Sequence, residues 1–229
     1  ESSRLESLRN MAERYDGYGN SIRKVMEQKK QVPGIEGVVA DLIQVDQRYE
    51  TAIETALGGS IQNIVTENED TAKRLIEYLK RNRFGRATFL PLTSVGGRGG
   101  FAKPEALKEP GAIGLASTLV RADQKYERVV QHLLGRVLVA ERIDDAIRIA
   151  RKYNHSLFIV TLEGESLSPG GSMTGGAFRN SSNLLGRKRE LTELEENVQK
   201  LETDIREARL QIEALREQRR ERRAEAESL

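Results

Sequence analysis

From Leu191 onward, apolar residues fall at Leu191, Leu194, Val198, Leu201, Ile205, Ala208, Ile212 and Leu215, with Glu and Arg filling most positions between. Steps that alternate three and four trace the seam of a coiled coil, whose helices return to one face every 3.5 residues. The start of the chain repeats the spacing more weakly, at Leu5, Leu8, Ala12, Tyr15, Gly19, Ile22 and Met26. Gly17 and Gly19 interrupt it. Each weakens a helix by roughly 1 kcal/mol relative to alanine, so a break is expected near Tyr15–Ser21. Neither seam can bury itself alone. Two such segments flanking one body pair most economically with each other, antiparallel, as a single protruding arm. The chain opens within a heptad and closes at AEAESL without a capping signal, which reads as an excerpt from a longer coiled-coil protein.

Between the seams, from about Gln31 to Gly186, the pattern changes to alternating strands and helices. VPGIEGVVADLIQV reads as a turn and a strand, and DQRYETAIETALGG as a helix stopped by glycine. IQNIVT is a strand, NEDTAKRLIEYLKRN a helix opening on an Asn/Asp cap, and RATFLPL a strand. TSVGGRGGFAKPEALKEPG follows, rich in Gly and Pro and read as a flexible linker. The order then restarts with DQKYERVVQHLLG, RVLVA, RIDDAIRIARKYN and SLFIVTL. YETAIETALG and YERVVQHLLG are equal in length, begin with the same pair and end in the same Leu-Gly. The body is therefore expected to hold two similar halves. The fold class is α+β or mixed α/β: two subdomains, 31–115 and 116–186, flanked by coiled-coil segments at 1–30 and 187–229 that pair within the chain.

Composition narrows the function. Of 229 residues 31% are charged, yet the net charge is only +2, so any nucleic-acid surface has to be local. There are no cysteines, which excludes disulfides, thiolate metal sites and a zinc-hook apex built on C-x-x-C. Two histidines, His132 and His155, are too few for a His-rich metal site. No long apolar run predicts a membrane span, and the N-terminus carries no secretory pattern.

Chemistry would most naturally reside in SPGGSMTGGAFRN, which places Gly170, Gly171, Gly175 and Gly176 just after a strand-like run. Glycine is costly to order, so a cluster implies an unusual turn or a close approach by something else. A nucleotide- or phosphate-binding α/β domain is the alternative reading, but a phosphate loop requires Lys-Ser/Thr where this chain has Ala177-Phe178. GGRGG at 96–100 fails likewise, and neither segment fits G-x-G-x-x-G after a strand. Acidic pairs such as Asp144-Asp145 sit at helix starts, where the dipole explains them, and no G-x-S-x-G elbow accompanies any serine. Nothing reads as an active site. Glycine-rich backbone beside a strand instead suits a second chain, which can add main-chain hydrogen bonds at an open edge.

The coil, the two-part body, GRATFLPL, VTLEGESLSPGGSMTGG and LLGRKREL running back into coil together resemble the hinge of a structural-maintenance-of-chromosomes (SMC) protein, in its bacterial branch, over essentially the whole chain. The resemblance implies a homodimer joining two long antiparallel arms, serving chromosome condensation and segregation in the cytoplasm at the nucleoid. It implies ATPase heads, with their ATP, magnesium and accessory subunits, outside this fragment, which itself needs no cofactor and is not an enzyme. It puts Gly170, Gly171, Gly175 and Gly176 at the dimer contact. It also implies DNA contact near the junction of hinge and coil, at Lys80, Arg81 and Arg179; beside them the sequence itself offers Arg83 and Arg86 in the same basic patch, and Arg187-Lys188-Arg189 at the start of the exit coil as a second. Where relatives carry lysines after the second glycine pair, this chain has Arg179-Asn180-Ser181.

Overall fold

The computed structural model describes residues 2–96, 99–176 and 183–227. They form two units: a body, Met11–Arg189, and an arm whose described residues run to Asn10 and resume at Glu190. In the arm, helix α1 (Ser2–Glu13) is tied to the long C-terminal helix by ion pairs Arg4–Glu190 and Arg9–Glu195, the latter at 2.9 Å. The seam positions Leu191, Leu194 and Val198 are partly covered, whereas the seam from Leu201 on is exposed.

Within the body, α1 ends where the glycines predict. Tyr15 and Gly17 take left-handed φ values of 52° and 95°, closing a tight turn before helix α2 (Asn20–Glu27) begins. The body starts at Met11 rather than at residue 31. α2, expected in the N-terminal coil, buries Ile22, Val25 and Met26 with Ile35, Val38, Ile64, Leu75 and Leu79, so its apolar face belongs to a globular core.

The first half runs β1 (Ile35–Val38), α3 (Val39–Leu42), β2 (Ile43–Val45), α4 (Glu50–Leu57), β3 (Ile64–Thr66), α5 (Glu69–Asn82) and β4 (Phe89–Pro91). Asn68 caps α5, its Oδ1 accepting from Thr71 N–H at 2.9 Å. The second half repeats the order with β5 (Ala112–Leu115), β6 (Val120–Ala122), α6 (Glu127–Leu134), β7 (Val137–Ala140), α7 (Ile143–Lys152) and β8 (Phe158–Thr161). Then come β9 (Ser166–Leu167), β10 (Met173–Thr174) and α8 (Leu184–Glu227).

Pairing confirms the repeat. β1 lies antiparallel to β3 and β3 parallel to β4, and β5, β7 and β8 do the same, each half with an irregularity in its antiparallel pair. β2 and β6 join the halves as an antiparallel ribbon centred on Gln44↔Arg121. These two residues hold the same place in the repeat, each two positions before Asp46-Gln47 or Asp123-Gln124, so a local twofold passes between them. The central core lies around that axis, with Ala52, Ile53 and Val65 against Val129, Val130 and Val139. A second cluster under α7 includes Leu138, Ala146, Ile149, Ile159 and Leu167.

VPGIEGVVADLIQV is not one strand but two, split by the single turn of α3. The Gly/Pro-rich segment after β4 is no plain linker either: residues Pro104–Lys108 form a 3-10 turn with Ala106 fully buried, and Phe101 packs on the second cluster. Among the described residues, no helix is long and apolar enough to cross a membrane.

Candidate functional site

The two halves differ at their outer edges. Beyond β8 the second half adds β9 and β10, giving a sheet ordered β10-β9-β8-β7-β5. The first half stops at β4, in the order β1-β3-β4. Among the described residues, β4 and β10, each at one end of its sheet as β1 and β5 are at the other, therefore have no strand on their outer side.

The four glycines frame β10. Gly170 and Gly171 make the turn into it with φ of 91° and 94°, and Gly176 leaves it at 132°. Side chains avoid these values, so local geometry alone calls for glycine at the three positions. The turn is held by Gly170 N–H to His155 O at 2.9 Å and Gly171 N–H to Ser168 O at 3.0 Å. Gly175 is different: a Cβ there would stand 3.1 Å from Cγ of Glu165. Among the described residues, a Cβ on Gly170 or Gly176 would meet nothing within 4 Å. Met173 between the glycine pairs is 54% exposed.

At the β4 edge, β4 and α5 enclose a shallow groove of about 510 Å³, lined by Ala72, Ile76, Ala87, Phe89 and Pro91 and rimmed by charges of both signs, Glu69, Lys73, Glu77 and Lys80. Ile76, on its wall, is 52% exposed. Sequence reading did not find this groove. Its signal was an isoleucine beside, not on, the buried face Thr71, Ala72, Leu75 and Leu79 of α5.

Of the expected cations, Lys80, Arg81, Arg83 and Arg86 are exposed and gathered at the C-terminus of α5. Arg83 takes φ 55° to end the helix. None of the four makes an ion pair among the described residues, and the helix dipole favours their charge there. Ser21 Oγ donates to Arg86 O at 2.7 Å, and Lys24 Nζ stands 5.6 Å from the Phe84 ring, so α2 flanks this basic end. Arg179 lies outside the described residues.

Arg187, Lys188 and Arg189 are not an open patch. They dock the start of α8 on the body: Arg187 donates to Asp16 O at 2.6 Å, Lys188 to the carbonyls of Asp41 and Ile43, and Arg189 to Glu50 Oε1 at 2.6 Å. Leu184 and Leu185 enter the central core, and Leu185 N–H donates to Glu54 Oε1 at 3.0 Å. Burial lowers the Lys188 pKa against the opposing pull of Asp41, and burial together with Asp41 pushes Tyr15 up to about 12. Gly17 is needed here as well, since a Cβ would come within 3.2 Å of the Arg187 guanidinium. Among the described residues, no group of His, Asp and Glu side chains is arranged to hold a metal ion.

Comparison with known proteins agrees with this architecture. Residues 32–150 match the model of the SMC proteins flexible hinge domain. The chain is 44% identical to the chromosome partition protein Smc of Desulfitobacterium hafniense over 93% of its own length, and 42% identical to that of Bacillus subtilis over 87%. It spans only 18% and 17% of those two relatives. An asymmetric dimer of the Geobacillus stearothermophilus SMC hinge domain matches in structure with a TM-score of 0.81 and 39% identity, covering 89% of this chain and 83% of that one. The Pyrococcus furiosus SMC hinge domain matches at 0.58 and 34%, over 78% and 90%. With the family model matched over residues 32–150 and relatives of 44% and 42% identity along most of its length, the chain belongs to the SMC hinge domain family.

Proposed function

We propose that this chain is the homodimerisation hinge of a chromosome-organising SMC ATPase, joining two antiparallel coiled-coil arms and touching DNA weakly. The observation that carries the reading is the pair of open sheet edges, β4 and β10, on one body. A strand edge in water is a template for another chain, and two different edges on one molecule can satisfy each other across a twofold axis. Gly170, Gly171, Gly175 and Gly176 lie at that contact. Lys80, Arg81 and Arg83, with Arg179, supply phosphate contacts without any aromatic ladder, so the binding is electrostatic and blind to sequence. ATP hydrolysis, magnesium and accessory subunits belong to heads at the far ends of the arms, and the whole protein works on the nucleoid in the cytoplasm. Sedimentation across micromolar concentrations tests the central claim. A dimer has twice the single-chain mass of 25.7 kDa; the single-chain mass persisting at tens of micromolar would overturn it.

A further inference from the structure

A helix that leaves a body as an arm has a direction, and a direction needs more than one point of attachment. The first turn of α8 carries amide N–H groups that have no partner within their own helix. Asn183 Oδ1 accepts one, from Gly186 at 3.1 Å, and a Cβ on Gly186 would overlap that oxygen, so the cap itself calls for glycine. Glu54 Oε1 accepts another, from Leu185 at 3.0 Å, although Glu54 stands on α4, 131 residues earlier in the chain. One turn further along α8, Arg189 Nε donates to Glu50 Oε1 at 2.6 Å. Residues 185 and 189 share a face of α8, as 50 and 54 share a face of α4. Two carboxylates one turn apart thus hold two groups one turn apart, in reverse order. The first turn of α8 therefore runs antiparallel along α4.

The internal repeat separates what a helix in this place needs for itself from what α8 needs of it. YETAIETALG and YERVVQHLLG align Ile53 with Val130 and Leu57 with Leu134, all four buried in the central core. They also align Glu50 with Glu127 and Glu54 with Gln131. Glu127 is exposed and, among the described residues, forms no ion pair, and the Gln131 side chain makes no hydrogen bond. A carboxylate at 54 is therefore no requirement of the repeated helix; it stands on the copy that receives α8. Its place is costly. Burial pushes the Glu54 carboxyl above its ordinary range, the Leu185 amide pulls against that rise, and the charge of Glu50 adds to it. The positive end of the α8 dipole favours a carboxylate there.

We infer that Glu54 is an arm-positioning residue: with Glu50 it forms a two-point clamp that fixes the direction in which α8 leaves the body. The buried side chains of Leu184 and Leu185 hold the turn in place, but apolar burial has no direction of its own. One polar attachment would let the helix pivot. A second, about 6 Å further along its axis, removes that freedom. The remaining contacts brace the clamp from other sides. About a quarter-turn round α8, Lys188 Nζ donates to the carbonyls of Asp41 and Ile43, the latter at 2.8 Å. On the side opposite Glu54, Arg187 donates to Asp16 O at 2.6 Å. All of these residues belong to the body, which ends at Arg189. The clamp works within one chain, so it goes beyond the hinge-dimer reading and is tested apart from it.

Amide hydrogen exchange reads the hold, and a distance reads the direction. Glu54→Ala removes the acceptor, whereas Glu54→Gln keeps a neutral one. Exchange at residues 184–189 should rise about tenfold or more in Glu54→Ala, as loss of a hydrogen bond to a charged group predicts, and less in Glu54→Gln. Exchange in β8 should stay as in the unmodified chain. The chain has no cysteines, so spin labels on Arg128→Cys and Glu196→Cys, both exposed positions, report one intrachain distance when diluted into unlabelled chain. Its distribution should broaden in Glu54→Ala and narrow again in Glu54→Gln, and Gln131→Glu should move neither readout. Equal acceleration in β8 would make Glu54 a residue of general stability. An unaltered distance distribution would mean that burial of Leu184 and Leu185 directs the helix unaided. Either result overturns the clamp. Sedimentation of the unmodified chain as a monomer would sink the hinge-dimer reading and leave both of these measurements in force.

Discussion

Replacing Leu185 by alanine tests whether the first turn of α8 is core rather than arm. Leu185 sits in the central cluster with Val39, Ile43 and Ile53 and is 4% exposed, whereas Leu201 on the same helix is 46% exposed. Removing a leucine side chain from water contributes about 1.5–3 kcal/mol, and the unfilled cavity raises a buried Leu→Ala loss to about 2–5 kcal/mol. At Leu201 solvent occupies the vacated space, leaving under about 1 kcal/mol, part of it offset by the higher helix propensity of alanine. We therefore expect about 3 kcal/mol for Leu185→Ala and little for Leu201→Ala. All six tyrosines, Tyr15, Tyr18, Tyr49, Tyr78, Tyr126 and Tyr153, lie between Met11 and Arg189, and there is no tryptophan. Tyrosine emission in a urea titration thus follows the body alone. With a slope of about 2 kcal/mol/M, the Leu185 variant should unfold about 1.5 M earlier. Chain concentration must be held constant, because self-association adds stability. Equal midpoints for the two variants would refute the docking of α8.

Asn68→Ala should cost about 1 kcal/mol through loss of the α5 cap, and Asn68→Asp should retain most of it, read from the same urea midpoints. Burial opposes ionisation of Glu36, but hydrogen bonds from Lys125 Nζ at 2.7 Å and the Tyr126 hydroxyl at 2.6 Å outweigh it and hold the carboxyl below its ordinary 4.5. A depressed acid stabilises above its unfolded pKa and loses that contribution as pH falls through the folded one. Glu36→Gln should therefore destabilise at neutral pH and converge on the unmodified chain below about pH 4, as midpoints taken across pH would show. DNA affinity should fall with salt at a log–log slope of about −3 to −5, and Lys80, Arg81 and Arg83 changed together to Glu should flatten it. An unaltered gel shift would assign those cations to solvation of the helix end. Cysteines at Arg9 and Glu195, whose long side chains meet in an ion pair of 2.9 Å, should be joined within one chain by a bifunctional thiol reagent whose spacer takes the place of those side chains; links found only between chains would exclude the intrachain arm.

Much of the fold was legible because it is written in long periodic segments. The heptads of α8, the Asn-capped helix NEDTAKRLIEYLKRN, the strand RVLVA and the repeat of YETAIETALG in YERVVQHLLG all reappear as elements. The break near Tyr15 followed from glycine alone. What escaped was short or tertiary. β9 and β10 have two residues each, too few for any period to register. The turn of α3 lies in an apolar run that reads equally as a strand. The docking of Arg187, Lys188 and Arg189 was hidden because a basic triplet beside a coil looks solvated, and only the fold brings the carbonyls of Asp16, Asp41 and Ile43 to it. The sequence singled out the glycine segment for a close approach by a second chain, and the structure adds an internal reason for it. Left-handed φ at Gly170, Gly171 and Gly176 is an internal need, so replacing all four glycines by alanine would strain the turn itself.

The duplication also explains why one chain carries two unlike edges. Had both halves ended alike, two identical bare edges would remain, each free to pair with its own copy and to propagate. Here the second half covers the β8 edge with its own β9, and the next strand, β10, is left outermost, framed by glycines and bearing Met173. The first half keeps the groove that β9 fills in the other. The surplus of one half therefore matches the deficit of the other, and a single copy cannot satisfy both. A head-to-tail contact of this kind forms a filament unless the rotation closes. Because a local twofold through Gln44 and Arg121 relates the halves, their outer edges are carried at related places. On the proposed hinge reading, a second copy turned by half a revolution would meet both at once, and association would stop at two.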